Sequence, residues 1–242
     1  RLRLIVYDLD GTLVDTGPNI ALAINGTRAF YDLPELPVET VVSYVGDGAG
    51  KLVERAIFGQ TNPGDIDPSP VLTPDAPHRP KEVYEQFMTI YGADPVALST
   101  PYPGVMDALK WWHEQGVPQA VLTNKPHALA VECLKAHRMM PYLTTTIGRG
   151  CIVDGAPMET KPNPRGLLYL MNAHSTVANE TCMVGDGQAD LGVARATGSH
   201  AIILTSGFCS AARYAAMDNP PANTYASFQA GDSAMRAHYL ND

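Results

Sequence analysis

The sequence predicts an α/β fold, a doubly wound parallel sheet interrupted by an inserted helical segment. Three observations carry the prediction. After Pro101, short apolar runs alternate with helical patterns, as parallel strands joined by crossover helices require. Before that point, residues 17–92 follow a first strand and are mainly helical in pattern, so they interrupt the alternation at its start. Polar residues with chemistry stand directly behind the strands, where open parallel sheets place their ligands. Together these describe a Rossmann-like core over 1–16 and 93–242, with a helical lobe over 17–92.

The first strand is residues 3–7, an apolar run that leads into Asp8 and Asp10. In the inserted segment Ile20, Ile24, Phe30 and Tyr31 sit near helical spacing after Pro18, and Pro37 suits the opening of a second helix. Leu52, Val53, Ala56 and Ile57 mark a third. Residues 61–80 are rich in Pro and Asp and read as a loop, because proline denies backbone donors and blocks helix. Val83, Phe87 and Ile90 mark a fourth helix, ended by Gly92. Helix 104–115 carries Val105, Leu109 and Trp112 on one side and stops at Gly116. Strands are expected at 119–124, 144–148, 181–186 and 200–205, with helices at 127–137, 163–173 and 188–197. Beyond about Gly207 the pattern is too weak to assign elements.

The chain has 242 residues, 45% of them hydrophobic, enough for a substantial core. A formal net charge of −8 and the lack of a basic block argue against a nucleic-acid partner. No apolar run approaches the roughly 18 residues of a membrane helix, so no membrane partner is expected, and no signal peptide is visible. Cys133, Cys151, Cys182 and Cys209 lie far apart and form no CxxC, which suits reduced thiols in a cytoplasmic protein. An acidic protein that handles phosphate must create a local positive site, with a metal ion or a placed lysine.

Two carboxylates at i and i+2 of an extended segment share a face and repel, and a divalent cation is the usual offset. Behind the other strands stand Thr123 and Asn124, then Gly185 and Asp186, with Asp190 in the start of the following helix. Lys161 comes just before helix 163–173. Four acids, a hydroxyl, an amide and a lysine thus share one edge of the sheet. This set suits phosphoryl transfer. An aspartate nucleophile divides the reaction through an aspartyl-phosphate, and a metal neutralises charge between carboxylate and phosphate. A lysine and a hydroxyl grip the transferring oxygens, while a second aspartate moves the proton. Each residue alone has a bland explanation: strand-end capping for Asp8 and Asp10, turn chemistry for Thr123 and Asn124, helix N-terminal acids for Asp186 and Asp190, solvated surface for Lys161. Their joint order carries the reading.

DLDGTLVDT (8–16), LTN (122–124), KPNP (161–164) and GDGQAD (185–190) resemble, in that order, the four motifs of the haloacid dehalogenase superfamily. The second aspartate of the first motif resembles its phosphatase branch. The likeness covers about residues 1–208. It is finest to bacterial phosphoglycolate phosphatases in DLDGTLVDTGPNIALAIN, VSYVGDGAGKLVERA, YPGV and LTNKP. The resemblance implies Asp8 as nucleophile and Asp10 as general acid and base, with the Asp10 backbone carbonyl offered to the metal. It implies that Thr123 and Asn124 bind the phosphoryl group, and that Lys161 ties its charge to the nucleophile. Asp8, Asp186 and Asp190 would surround Mg²⁺. The helices of 17–92 would form a cap that closes over a small phosphorylated metabolite. The substrate implied is 2-phosphoglycolate, with a sugar-phosphate phosphatase or a β-phosphoglucomutase-like enzyme as the alternative, in a monomer or homodimer.

VGDGAGK (45–51) matches the specificity loop that family members carry in the cap, which makes Lys51 a candidate substrate contact. The same glycines do not form a phosphate-binding P-loop, because Val45 and Leu52 occupy positions that require Gly and Ser or Thr. The chain departs from the family pattern at Gly187, where serine is common, and in the length of the 61–80 loop.

Overall fold

A computed structural model describes residues 1–59 and 80–239. The expected loop at 61–80 lies outside these residues except for Pro80, which opens a helix. Among the described residues the strands are β1 (Leu4–Tyr7), β2 (Val14–Asp15), β3 (Thr100–Pro101), β4 (Gln119–Pro126), β5 (Thr145–Arg149), β6 (Ile152–Val153), β7 (Ala156–Pro157), β8 (Thr181–Gly185), β9 (His200–Leu204) and β10 (Thr224–Tyr225). The α-helices are α1 (Gly17–Phe30), α2 (Val38–Ser43), α3 (Ala49–Phe58), α4 (Pro80–Ala93), α5 (Val105–Glu114), α6 (His127–Ala136), α7 (Arg165–Ala173), α8 (Gln188–Thr197), α9 (Ala211–Ala215) and α10 (Phe228–Tyr239).

β1 is buried at every position because strands flank it on both sides and helices cover both faces, so each side chain meets protein. Its partners β4 and β8 run parallel to it, with Ile5 opposite Gln119 on one side and Cys182 on the other. The full sheet has the order β10-β9-β8-β1-β4-β5. Successive strands therefore build outward to β5 on one side of β1, then from β8 to β10 on the other. The order reverses at β1, and the crevice at the C-terminal ends of β1, β4 and β8 is where sheets of this kind bind ligands.

Strand alternation sorts the core into two layers. Ile5, Tyr7, Val121, Cys182 and Val184 face Leu109 and Trp112 of α5 and Phe228 and Met235 of α10. Leu4, Val6, Ala120, Leu122 and Met183 face Leu167 and Leu170 of α7 and Val193 of α8. α10 and β10 fall in the tail that sequence patterning left unassigned. β10 has only two residues, and the buried side of α10 carries Asp232 between Phe228 and Met235, which breaks its apolar signature. That acid is satisfied: Trp112 Nε1 donates to Asp232 Oδ1 at 2.7 Å, and Arg236 pairs with it at 2.7 Å.

The helices α1 to α4 pack on one another through Ile20, Ile24, Val41, Leu52, Ile57 and Phe87, in a cluster separate from those on the sheet. Pro18 lies in the first turn of α1, where a missing N–H costs nothing. Arg28 is wholly buried among these helices and donates to Pro34 O at 2.6 Å and to Ala56 O. Leu129 of α6 and Phe208, behind β9, pack into the same cluster. The chain leaves the sheet through β2 and returns through β3, and these two segments pair antiparallel, Val14 with Pro101 and Asp15 with Thr100. Among the described residues no helix is long and apolar enough to cross a membrane. All four cysteines are free thiols.

Candidate active site

Asp8 follows the last residue of β1, and its N–H donates to Val184 O of β8 at 2.9 Å, so the strand ladder itself places the carboxylate in the crevice. Lys161 reaches it from the segment before α7. The Lys161 ammonium stands 2.9 Å from Asp8 Oδ1 and 2.6 Å from Asp190 Oδ1, with its side chain only 1% exposed. Asp190 is held from its other oxygen by the Gly187 N–H at 2.9 Å, at the start of α8. Asp186, behind β8, accepts from Thr12 Oγ1 at 2.9 Å and from the Phe208 N–H at 2.6 Å. Two glycines make this closeness possible. A Cβ at Gly11, whose φ is +82°, would lie 2.4 Å from Asp186 Oδ2, and one at Gly185 would lie 2.2 Å from the Asp190 Cγ.

Carboxylate oxygens of Asp8, Asp186 and Asp190 all lie within 4.8 Å of one another. Three carboxylates face one ammonium, which leaves two negative charges uncompensated, the charge of one divalent cation. Burial and the Asp190 carboxylate push the Asp8 carboxyl up to about 7, against the pull of Lys161. Burial, with Asp8 and Asp190 nearby, raises Asp186 well above the carboxylate range too. Hard oxygen donors carrying this unbalanced charge fit a divalent metal ion.

Asp10 lies outside that cluster. Its Oδ1 accepts from Thr16 Oγ1 at 2.7 Å and from Lys125 Nζ at 2.9 Å. Lys125 also donates to the Tyr91 hydroxyl of α4. Burial alone would pull the Lys125 ammonium down, but the Asp10 carboxylate and Tyr91 outweigh it and hold it above its ordinary value. Burial raises the Tyr91 phenol to about 12, so it stays protonated.

Thr123 and Asn124 sit where β4 loses its regular register with β5, between Leu122 and Pro126. Thr123 Oγ1 accepts the Lys125 N–H at 3.2 Å. The Asn124 side chain is committed to the backbone: Oδ1 accepts the Lys161 N–H at 2.7 Å, and Nδ2 donates to Lys161 O at 3.0 Å and to Gly46 O at 3.1 Å. It braces the Lys161 segment, and Asn124 also lines the cavity. Lys51, the candidate in the VGDGAGK loop, lies at the start of α3. It is 58% exposed, paired with Glu54 at 2.6 Å, and absent from the cavity wall, because its side of α3 turns toward solvent. Its neighbour Arg55 lines the cavity instead, tied to Asp47 at 2.6 Å and to Tyr44 O at 2.9 Å.

The cavity measures about 1000 Å³ and lies between the sheet edge and the inserted helices. Asp8, Asp10, Thr123, Lys125, Asp186 and Asp190 form its floor, with Tyr44, Phe87 and Phe208 among its apolar walls. Sequence reading missed Thr12, Thr16, Lys125 and the Phe208 N–H. Thr12 and Thr16 stand within DLDGTLVDT and Lys125 stands beside Asn124 in LTNKP, whereas the Phe208 N–H, a backbone donor, left no signal.

This sheet, with a metal-ready carboxylate cluster at its reversal point, matches a known class. A family profile described as haloacid dehalogenase-like hydrolase matches residues 2–198, and the chain belongs to that family. Among curated relatives, a phosphoglycolate phosphatase of Pseudomonas fluorescens (strain Pf0-1) is 36% identical over 85% of this chain and 70% of that protein. Another from Vibrio parahaemolyticus is 34% identical over 86% of this chain and 85% of that protein. Among solved structures, a predicted phosphoglycolate phosphatase from Haemophilus somnus 129PT superposes with a TM-score of 0.79, at 28% identity over 98% of both chains.

Proposed function

We propose that this protein is a Mg²⁺-dependent phosphomonoesterase that works through an aspartyl-phosphate on Asp8, with 2-phosphoglycolate as its substrate. The observation that carries the reading is the pairing of Asp8 with Lys161 at 2.9 Å beside two further buried carboxylates. The substrate choice is supported by the names of the 34–36% identical relatives. It is also supported by Arg55 and Arg213, two guanidinium groups on the cavity wall that suit a second anionic group.

Asp8 Oδ attacks phosphorus and the bond to the ester oxygen breaks. Asp10 gives its proton to the departing alcohol. Asp10 then takes a proton from water as that water attacks the phosphorus of the aspartyl-phosphate, which frees phosphate and restores Asp8. Lys161 holds Asp8 in place and offsets charge on the phosphoryl oxygens. Thr123 supplies a hydroxyl donor to the same oxygens. Asp8, Asp186 and Asp190 would hold Mg²⁺, with the Asp10 carbonyl. When bound, the ion would lower repulsion between the carboxylate and the phosphate dianion. The helices of 17–92 act as a cap that closes the cavity over substrate and excludes water.

Phosphate release from 2-phosphoglycolate, sugar phosphates, nucleoside monophosphates and pyrophosphate, with Mg²⁺ and with EDTA, tests this. A Mg²⁺-dependent preference for 2-phosphoglycolate is expected. A preference for sugar phosphates would overturn the substrate, transfer to a second sugar would mark a mutase, and undiminished release in EDTA would overturn the mechanism.

A further inference from the structure

Lys125 is a buried charge that the reaction scheme leaves without a task. Its side chain is 2% exposed, and it stands in the irregular stretch of β4. Its ammonium reaches Asp10 Oδ1 at 2.9 Å and the Tyr91 hydroxyl, and lies 4.7 Å from the centroid of the Tyr91 ring. With Thr16 Oγ1 at 2.7 Å, two donors hold Asp10 Oδ1, and Oδ2 has no hydrogen-bond partner among the described residues. Asp10 and Lys125 belong to the sheet edge, while Tyr91 belongs to α4 of the inserted helices.

We propose that Lys125 is a positioning residue for Asp10, and that Tyr91 is the contact through which the inserted helices set it. The proposal rests on the reading of Asp10 as the acid and base. A short carboxylate side chain turns about two bonds, and fixing one oxygen from two directions aims the other. A buried ammonium does this firmly, because it cannot exchange its partners for water without cost. Tyr91 takes one of the three ammonium protons and so orients the rest. Displacing α4 from the sheet withdraws Tyr91 and removes one of the two anchors of Lys125. Asp10 is therefore fully aimed only when the helices lie against the site, which couples proton transfer to coverage of the substrate.

A general acid matters for a poor leaving group and little for one that departs as a stable anion. Single-turnover release of the leaving group by the Mg²⁺-loaded enzyme, from an alkyl phosphomonoester and from nitrophenyl phosphate, reads this step alone. Asp10→Asn is expected to lose about 10²–10⁴-fold on the alkyl ester and far less on the aryl ester. Lys125→Met is expected to follow the same pattern, with a loss of roughly 10–100-fold on the alkyl ester at nearly unchanged half-saturation. Tyr91→Phe is expected to shift the same ratio less strongly. If Asp10→Asn is selective but Lys125→Met slows both substrates equally, Lys125 is only structural and the inference fails. If Asp10→Asn itself shows no selectivity, the reading of Asp10 fails instead. Should Lys125→Met not fold by circular dichroism, Tyr91→Phe decides, and equal loss on both substrates overturns the proposal.

Discussion

Chelating divalent metal is expected to destabilise this protein more at neutral than at acidic pH. Asp8 lies 16% exposed against Lys161, and its carboxyl moves from an ordinary 3.8 to about 7 through burial, then Asp190, with Lys161 opposing. Asp186 moves in the same direction. A group raised in the folded state favours folding fully below its unfolded value, and that contribution is lost as pH rises through the folded value. The metal-free protein therefore loses stability across the interval from 3.8 to about 7. Each tenfold change in an ionisation constant is worth about 1.4 kcal/mol, so Asp8 alone accounts for roughly 4 kcal/mol. In a chain of this size that is on the order of 10 °C in Tm. A bound cation keeps the carboxylates ionised and opposes the loss. Scanning fluorimetry at about pH 5 and about pH 7.5, in EDTA and in saturating MgCl₂, should show a Mg²⁺ increment that grows with pH. An increment that is absent, or equal at both pH values, would refute the reasoning.

Three further outcomes are expected. Asp8→Asn should abolish phosphate release and yet raise Tm in EDTA at neutral pH, since it removes one of three crowded carboxylates; assay and melt on the same sample check both. Gly11→Ala places a Cβ 2.4 Å from Asp186 Oδ2 at a φ of +82°. It should cost at least about 1 kcal/mol and weaken Mg²⁺ binding, read by denaturant melts and by metal titration. Trp112→Ala empties a fully buried site and leaves Asp232 with Arg236 but without its indole donor. It should cost roughly 3–5 kcal/mol while the half-saturating substrate concentration stays unchanged, read by urea unfolding and steady-state kinetics.

Most of the fold was legible because its signals are local. β1 is a four-residue apolar run, and α8 and β9 begin and end within a residue of their expected bounds. The antiparallel pair of β2 and β3 was not legible, since two-residue strands carry no periodicity. α10 was hidden by the acid on its buried side, which its partners Trp112 and Arg236 explain. Within the site, Asp8 and Asp186 behind their strands, Lys161 before α7 and Asp190 in the first turn of α8 stand together at one edge of the sheet. Which way the Lys51 and Asn124 side chains turn was not legible, because a motif names a residue type but not the direction its side chain takes.

The sequence alone determined the main strands and helices up to β9, and which chemistry gathers at the sheet edge. Periodicity and motif spacing act over a few residues, so they survive without any knowledge of the partners. The tertiary structure alone decided who holds whom. Thr12 meets Asp186 across 174 residues and Lys125 meets Asp10 across 115. Such contacts depend on the order in which strands join the sheet, and on how the inserted helices lie over its edge. Neither is written in any short stretch of chain, because each is settled by the burial of whole layers against one another.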